Sequence, residues 1–195
     1  MVILPPTLAR ARSLGFKIFD NPKYDYDLNI IGIRAKPGTP NRFDDLLSVH
    51  YLWDGTWRSH YWKATTDPGL YYLENPIMVK GTAVLAADRQ YLKSHELGRH
   101  RGTYECLKQT GGVDLYRDGN RDKIVDTWGE PERDIIAGIN IHKAGRSSQR
   151  VDKWSAGCQV FKNTADFEEF MELCHKQINF NGFRSFSYTL LNQWY

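Results

Sequence analysis

The chain reads as a β-rich α+β fold, and three features point there. Short runs rich in β-branched and aromatic residues recur between clusters of Gly, Pro, Asp and Asn. One pair, Asp54-Gly55, separates two such runs as a tight hairpin turn does. A single segment, Thr164 to Ile178, carries apolar residues at helical spacing. The 195 residues are 41% hydrophobic and 13% aromatic, enough for a sizeable core, and show no repeat or linker. Residues 1–195 are therefore read as one domain.

The elements follow in order. Pro6 to Gly15 predicts a short helix, with proline at its start and glycine at its end. Leu28 to Ala35 predicts a buried strand, closed by the turn Lys36-Pro37-Gly38-Thr39-Pro40. Leu46 to Trp53 and Thr56 to Thr65 form the hairpin around Asp54-Gly55. Gly81 to Ala87 and Val113 to Tyr116 predict further strands, with Asp118-Gly119-Asn120 as a turn. Ile135 to His142 predicts one isoleucine-rich strand. In the helix, Phe167, Phe170, Met171, Cys174 and Ile178 make one buried stripe. Phe183 to Leu191 predicts a last strand, with Phe186, Tyr188 and Leu190 on one face.

Charge excludes little. A net +3 tolerates an anionic partner such as nucleic acid or a bacterial wall, and demands neither. Aromatics alternate with cations from Trp53 to Lys63, which is also what a half-buried amphipathic hairpin produces, so no nucleic acid partner is expected. No run of about 18 apolar residues occurs, so no transmembrane segment is expected. Met1 to Pro6 lacks the apolar stretch of a signal peptide, so synthesis in the cytoplasm is expected. The pattern carries no signal for oligomeric state.

Three cysteines, an odd number, argue against a disulfide scaffold. Cys174 lies in the helical stripe and reads as core, and Cys106 has no turn or histidine near it and reads as structural. Cys158 differs. It follows Ser155-Ala156-Gly157, a run of small residues that leaves room for a substrate beside the backbone. Gly157 permits unusual dihedrals, and backbone N–H groups beside a thiol can stabilise an oxyanion. From spacing alone, a reactive thiol and a packed cysteine after a tight turn are equally good readings.

His142 ends the run Ile139-Asn140-Ile141, ahead of a polar loop with Gly145, Arg146, Ser147 and Ser148. A base at a strand end, aimed at a thiol on the next turn, is what a Cys–His pair needs. The expectation is an imidazole within hydrogen-bonding reach of the Cys158 sulfur. That thiol would have a depressed pKa and react with iodoacetamide well below the usual value of about 8.5. His50 and His60 read as half-buried sheet residues, His95 and His100 as surface, and His175 as the helical neighbour of Cys174. Zinc wants paired ligands, a calcium loop wants glycine at its sixth position, and phosphate wants a glycine-rich loop. None is present, and no metal or cofactor is expected.

Fifteen residues separate His142 from Cys158, and the thiol closes Ser155-Ala156-Gly157-Cys158. This pattern resembles the signature of the YkuD-type L,D-transpeptidase catalytic domains, a histidine followed after a loop by Ser/Thr-His-Gly-Cys. The likeness spans Ile135 to Phe161, and Thr65-Thr66-Asp67-Pro68-Gly69 is similar to a Thr-Pro-x-Gly segment of that family. The resemblance implies an L,D-transpeptidase-like β-sandwich with one main C-terminal helix, acting as a single catalytic domain. It implies acyl transfer on peptidoglycan stem peptides, with Cys158 as nucleophile and His142 as base, oriented by a backbone carbonyl. The N–H groups of Gly157 and Cys158 would bind the oxyanion, and Ser155 would shape the turn. Ala156 replaces the family's second histidine, and Gln159-Val160-Phe161 lacks its Arg or Asn. Arg146, Arg150 and Trp154, in the intervening loop, are the expected substrate contacts in their place.

The expected activity is thus hydrolysis of stem-peptide amide bonds by an endolysin-like cysteine peptidase, of the kind a bacteriophage uses for lysis. It would act in the periplasm or on the wall after release. Alternatives are a cross-linking L,D-transpeptidase and a non-catalytic phage structural or wall-binding module.

Overall fold

The computed structural model describes residues 3–36, 40–146 and 148–195. Pro37, Gly38 and Thr39 of the turn expected after the first strand, and Ser147 of the polar loop, lie outside the described residues. Helix α1 (Pro6–Ser13) precedes strand β1 (Asn29–Arg34). A hairpin of β2 (Asp45–Trp53) and β3 (Thr56–Thr65) follows, then the short α2 (Leu70–Glu74) and β4 (Thr82–Leu85). A second hairpin, β5 (Arg89–His100) and β6 (Tyr104–Gln109), leads to β7 (Val113–Asp118) and β8 (Glu132–Ile135). Strands β9 (Ile141–Lys143) and β10 (Gln159–Phe161), helix α3 (Thr164–Asn181) and strand β11 (Ser185–Asn192) come last.

The β-rich α+β class, with one long C-terminal helix, is what the structure has. Its main sheet closes into a barrel in the order β1-β11-β5-β6-β9-β10-β3-β2, beside a three-stranded sheet β4-β7-β8. Closure leaves the large sheet without an unpaired edge. Most neighbours are antiparallel; β1 with β11 and β9 with β10 run parallel.

One apolar cluster fills the barrel and continues into the small sheet. It joins Ile30, Leu47, Phe161 and Tyr188 to Leu85 and Leu115, and to Phe167 and Phe170 of α3. Burying each such ring contributes about 1.5–3 kcal/mol. Ile31 and Ile33 face the other way, under Leu8 and Ala11 of α1. That double cover explains why every residue of β1 is buried and why the segment reads as a nearly unbroken apolar run. Cys174 and Cys106 are both fully buried, as core and structural residues should be.

Three expectations need correction. Ile135 to His142 is not one strand: β8 ends at Ile135 in the small sheet, and β9 begins at Ile141 in the barrel. The crossing between them pairs with a side chain in place of a ladder. Gln109 Oε1 accepts the N–H groups of Ala137 and Ile139 at 3.1 and 2.8 Å, and Gln109 Nε2 donates to Ile135 O at 2.8 Å. One buried amide thus satisfies backbone groups that would otherwise demand a strand partner. The hairpin β5–β6 was not expected. Lys93 sits at φ 51, and the register against β11 shifts between Phe186 and Tyr188, so the alternation of polar and apolar residues is broken. His95 is not at the surface. It is 1% exposed and bonds Ser94 Oγ at 2.9 Å and Ile139 O at 2.8 Å, which compensates its burial.

Candidate active site

Parallel pairing of β9 and β10 decides which residues meet. Val160 stands opposite His142, and Gln159 opposite Ile141. Side chains alternate along a strand, so Cys158, two residues before Val160, lies on the same face as His142. Diagonal neighbours on a sheet face stand about 7–8 Å apart at Cα, within reach of an aromatic side chain. Ile141 and Phe161 belong to the barrel interior, so the thiol and the imidazole are on its outer side.

The turn before the thiol is tightly built. Ser155 is fully buried; its hydroxyl donates to Cys158 O at 2.8 Å and accepts the Gly157 N–H at 3.1 Å. Gly157 sits at φ +119, and a Cβ there would lie 2.5 Å from Ala83 O, so only glycine fits. From outside, Gly69 N–H, just ahead of α2, donates to Ser155 O at 2.8 Å and braces the turn. One expectation fails here. The Gly157 N–H is engaged by Ser155 and is no free oxyanion donor, whereas the Cys158 N–H has no side-chain acceptor among the described residues.

The thiol and imidazole are neighbours without being hydrogen-bonded. Cys158 Sγ donates to Gly138 O at 3.4 Å. His142 is 1% exposed. Its Nδ1 lies 3.0 Å from Lys143 O, which can only accept, so Nδ1 carries the proton. Nε2 is then left as the acceptor, buried and without a partner. Tyr104 Oη joins the same group, 3.2 Å from Nδ1 and from Lys143 O. Burial, with the charges of His100 and Arg101 nearby, pushes His142 down to about 3. Burial also pushes the Cys158 thiol up. The expected low-pKa thiol is thus reversed: at neutral pH the pair is thiol and neutral imidazole, because neither charge is solvated.

A pocket of about 260 Å³ opens over the sulfur. Ala83, Gly138 and Cys158 line it, with the exposed Ile77 and Met78 and the cations Arg101 and Arg117. Arg117 is paired with Glu132 at 3.0 Å, while Arg101 forms no ion pair among the described residues. The His100 ring stacks on His142 at 4.1 Å between centroids and covers it from solvent. On the other side of His100 and Arg101 lies a second pocket, of about 360 Å³, lined also by Tyr104, Lys153 and Trp154.

Trp154, 41% exposed, therefore stands beside the site, whereas Arg146 and Arg150 are exposed and line neither pocket. The cations at the cleft are Arg101, Arg117 and Lys153. Arg101 and Tyr104 were not expected at the site, and His100, expected at the surface and second only to His142 as a candidate base, arrives with them from the tip of the β5–β6 hairpin. The one available signal was Arg101-Gly102 between two strand-length runs. Among the described residues, no group of three or more His, Cys, Asp or Glu is placed to hold a metal ion, and no helix is long and apolar enough to cross a membrane. Compared with family models, curated proteins and solved structures, the chain matches none.

Proposed function

We propose that this chain is a cysteine acyl-transfer enzyme that hydrolyses amide bonds in peptidoglycan stem peptides, a functional variant of the L,D-transpeptidase-like domains. The observation that carries the reading is the β9–β10 register. It sets a pocket-lining thiol and a neutral imidazole with an unprotonated Nε2 on one sheet face. Cys158 attacks the amide carbonyl, and His142 Nε2 takes the thiol proton during the attack. No thiolate forms beforehand, because both groups rest neutral. His142 then returns the proton to the leaving amine, and water hydrolyses the thioester. Lys143 O holds the tautomer, so no acidic third residue is required. Stem peptides carry carboxylates, and Arg101, unpaired at the rim, is suited to hold one.

A second reading rests on the second pocket. If an amine, not water, enters beside Tyr104 and Trp154, the same acyl-enzyme makes a cross-link. Digestion of purified sacculi, with Cys158→Ala as control, tests both. Released peptides support hydrolysis, new cross-linked dimers support transfer, and an unchanged muropeptide profile overturns the enzymatic reading.

A further inference from the structure

We infer that Gln159 is a positioning residue that turns the Cys158 N–H into the pocket as the oxyanion donor, an inference that rests on the acyl-transfer reading above. Gln159 is fully buried. Its Nε2 donates to Gly157 O at 3.1 Å, and its Oε1 accepts the hydroxyl of Tyr188 at 2.8 Å. Tyr188 is itself fully buried and part of the barrel core, so the amide is held from the lumen side. A trans peptide is planar, and its C=O and N–H point in opposite directions. Drawing the Gly157 carbonyl toward the lumen therefore turns the Cys158 N–H the other way, to the face where the sulfur meets the pocket.

The neighbouring amides are engaged. Gly157 N–H goes to Ser155 Oγ, and Gln159 N–H goes to Asn140 O at 2.9 Å. Of three consecutive amides the middle one remains for a substrate carbonyl, whose oxygen takes up the electron pair as sulfur adds to carbon. Among the described residues, Gln159 Nε2 is the donor that holds the Gly157 carbonyl of the 157–158 peptide in that orientation.

The test compares two reactions of one sulfur. With p-nitrophenyl acetate the thiol forms an S-acetyl enzyme and releases p-nitrophenol, passing through an oxyanion. With iodoacetamide the sulfur displaces iodide at a saturated carbon, and no oxyanion forms. Rates are compared at one alkaline pH and, for Gln159→Glu and wild type, along a falling pH series, with Cys158→Ala as background at each pH. Gln159→Met is expected to slow acetylation about ten-fold or more while alkylation stays within about two-fold of wild type. Gln159→Glu keeps the shape and the acceptor for Tyr188. It is expected to be slow as a carboxylate and to recover relative to wild type as falling pH gives it an O–H to donate to Gly157 O. Equal loss of both reactions, or intact acetylation in both variants, overturns the positioning role. If the wild-type thiol alkylates but is not acetylated above background, the enzymatic reading falls and this one with it.

Discussion

The two long hairpins of the barrel use the same backbone device for different ends. Between β2 and β3, Asp54 and Gly55 sit at φ 49 and 66. Between β5 and β6, Arg101 and Gly102 sit at φ 48 and 74, and Thr103 N–H closes the turn on His100 O at 2.9 Å. Aspartate tolerates the left-handed region through its short polar side chain; arginine has no such local compensation. The first turn lines neither pocket over the thiol. The second frames both, with His100 covering the proposed base and Arg101 at the rim. A residue ill suited to its turn, placed where a site needs its charge, marks function more clearly than a well-suited one.

The scale for this contrast comes from the thiol itself. Cys158→Ala is expected to remove turnover by at least about a thousand-fold with little change in melting temperature, since the side chain is only partly buried. Kinetics and a thermal scan on one preparation check this, and a large stability loss would identify a packing cysteine instead. Wild-type Cys158 is expected to label with iodoacetamide only as the pH rises above the ordinary thiol range, the direction set by its burial.

Acid should next affect both hairpins. His50 on β2 and His95 on β5 are each pushed down to about 4, and His142 to about 3, chiefly by burial. Between pH 6.5 and 4 the unfolded chain binds three protons there that the folded chain refuses. Asp45, raised to about 7 by burial and by Asp67, works in the opposite sense and holds one proton only when folded. Each of these histidines costs stability as the pH falls through that window, by up to about 1.4 kcal/mol per pH unit, and Asp67, Asp27 and Asp118, also raised by burial, offset part of the total together with Asp45. Denaturant melts at stepped pH on the wild type and on His50→Gln, His95→Gln and His142→Gln measure each share; an unchanged pH slope in all three variants would mean that the histidines are hydrated.

Making the second turn chemically like the first is a sharper cut. Arg101→Asp is expected to lower kcat/KM on stem peptides about 10- to 100-fold, since hydrogen bonds to charged groups are worth roughly 1.5–3 kcal/mol. The reciprocal Asp54→Arg should leave kinetics unchanged. Equal effects from the two would erase the distinction between the hairpins. The smallest change is the most symmetrical. A Cβ on Gly55 or on Gly102 meets nothing within 4 Å, so Gly55→Ala and Gly102→Ala should each cost only the backbone strain, about 1–2 kcal/mol. Only Gly102→Ala should also alter activity, because only that turn aims side chains at the site.

Much of the architecture was legible because it is written in short-range chemistry. Helix α3 follows from side chains three and four apart, the β2–β3 hairpin from Asp54-Gly55, and β1 from its apolar run. The tight turn before Cys158 is legible in Ser155 and in the positive-φ Gly157, although the approach of Ala83 O that also demands glycine there is not. The β5–β6 hairpin was far less legible: Arg101-Gly102 was its one local mark, while its exposed charges and the left-handed Lys93 obey long-range demands. His95 looked like surface because nothing near it in sequence shows that Ile139 O waits for its ring.

Taken alone, the amino-acid order determined a β-rich α+β chain with a helix near its end and a small-residue turn before one cysteine. These depend on dihedral preferences and periodicity within a few residues. Only the tertiary structure decided that the main sheet closes, that His142 shares a face with Cys158, and that His100 and Arg101 arrive from a distant hairpin. It also decided that both the thiol and its neighbour rest uncharged. Strand pairing and solvation belong to the assembled barrel, where register brings groups together and burial removes the water that would have charged them.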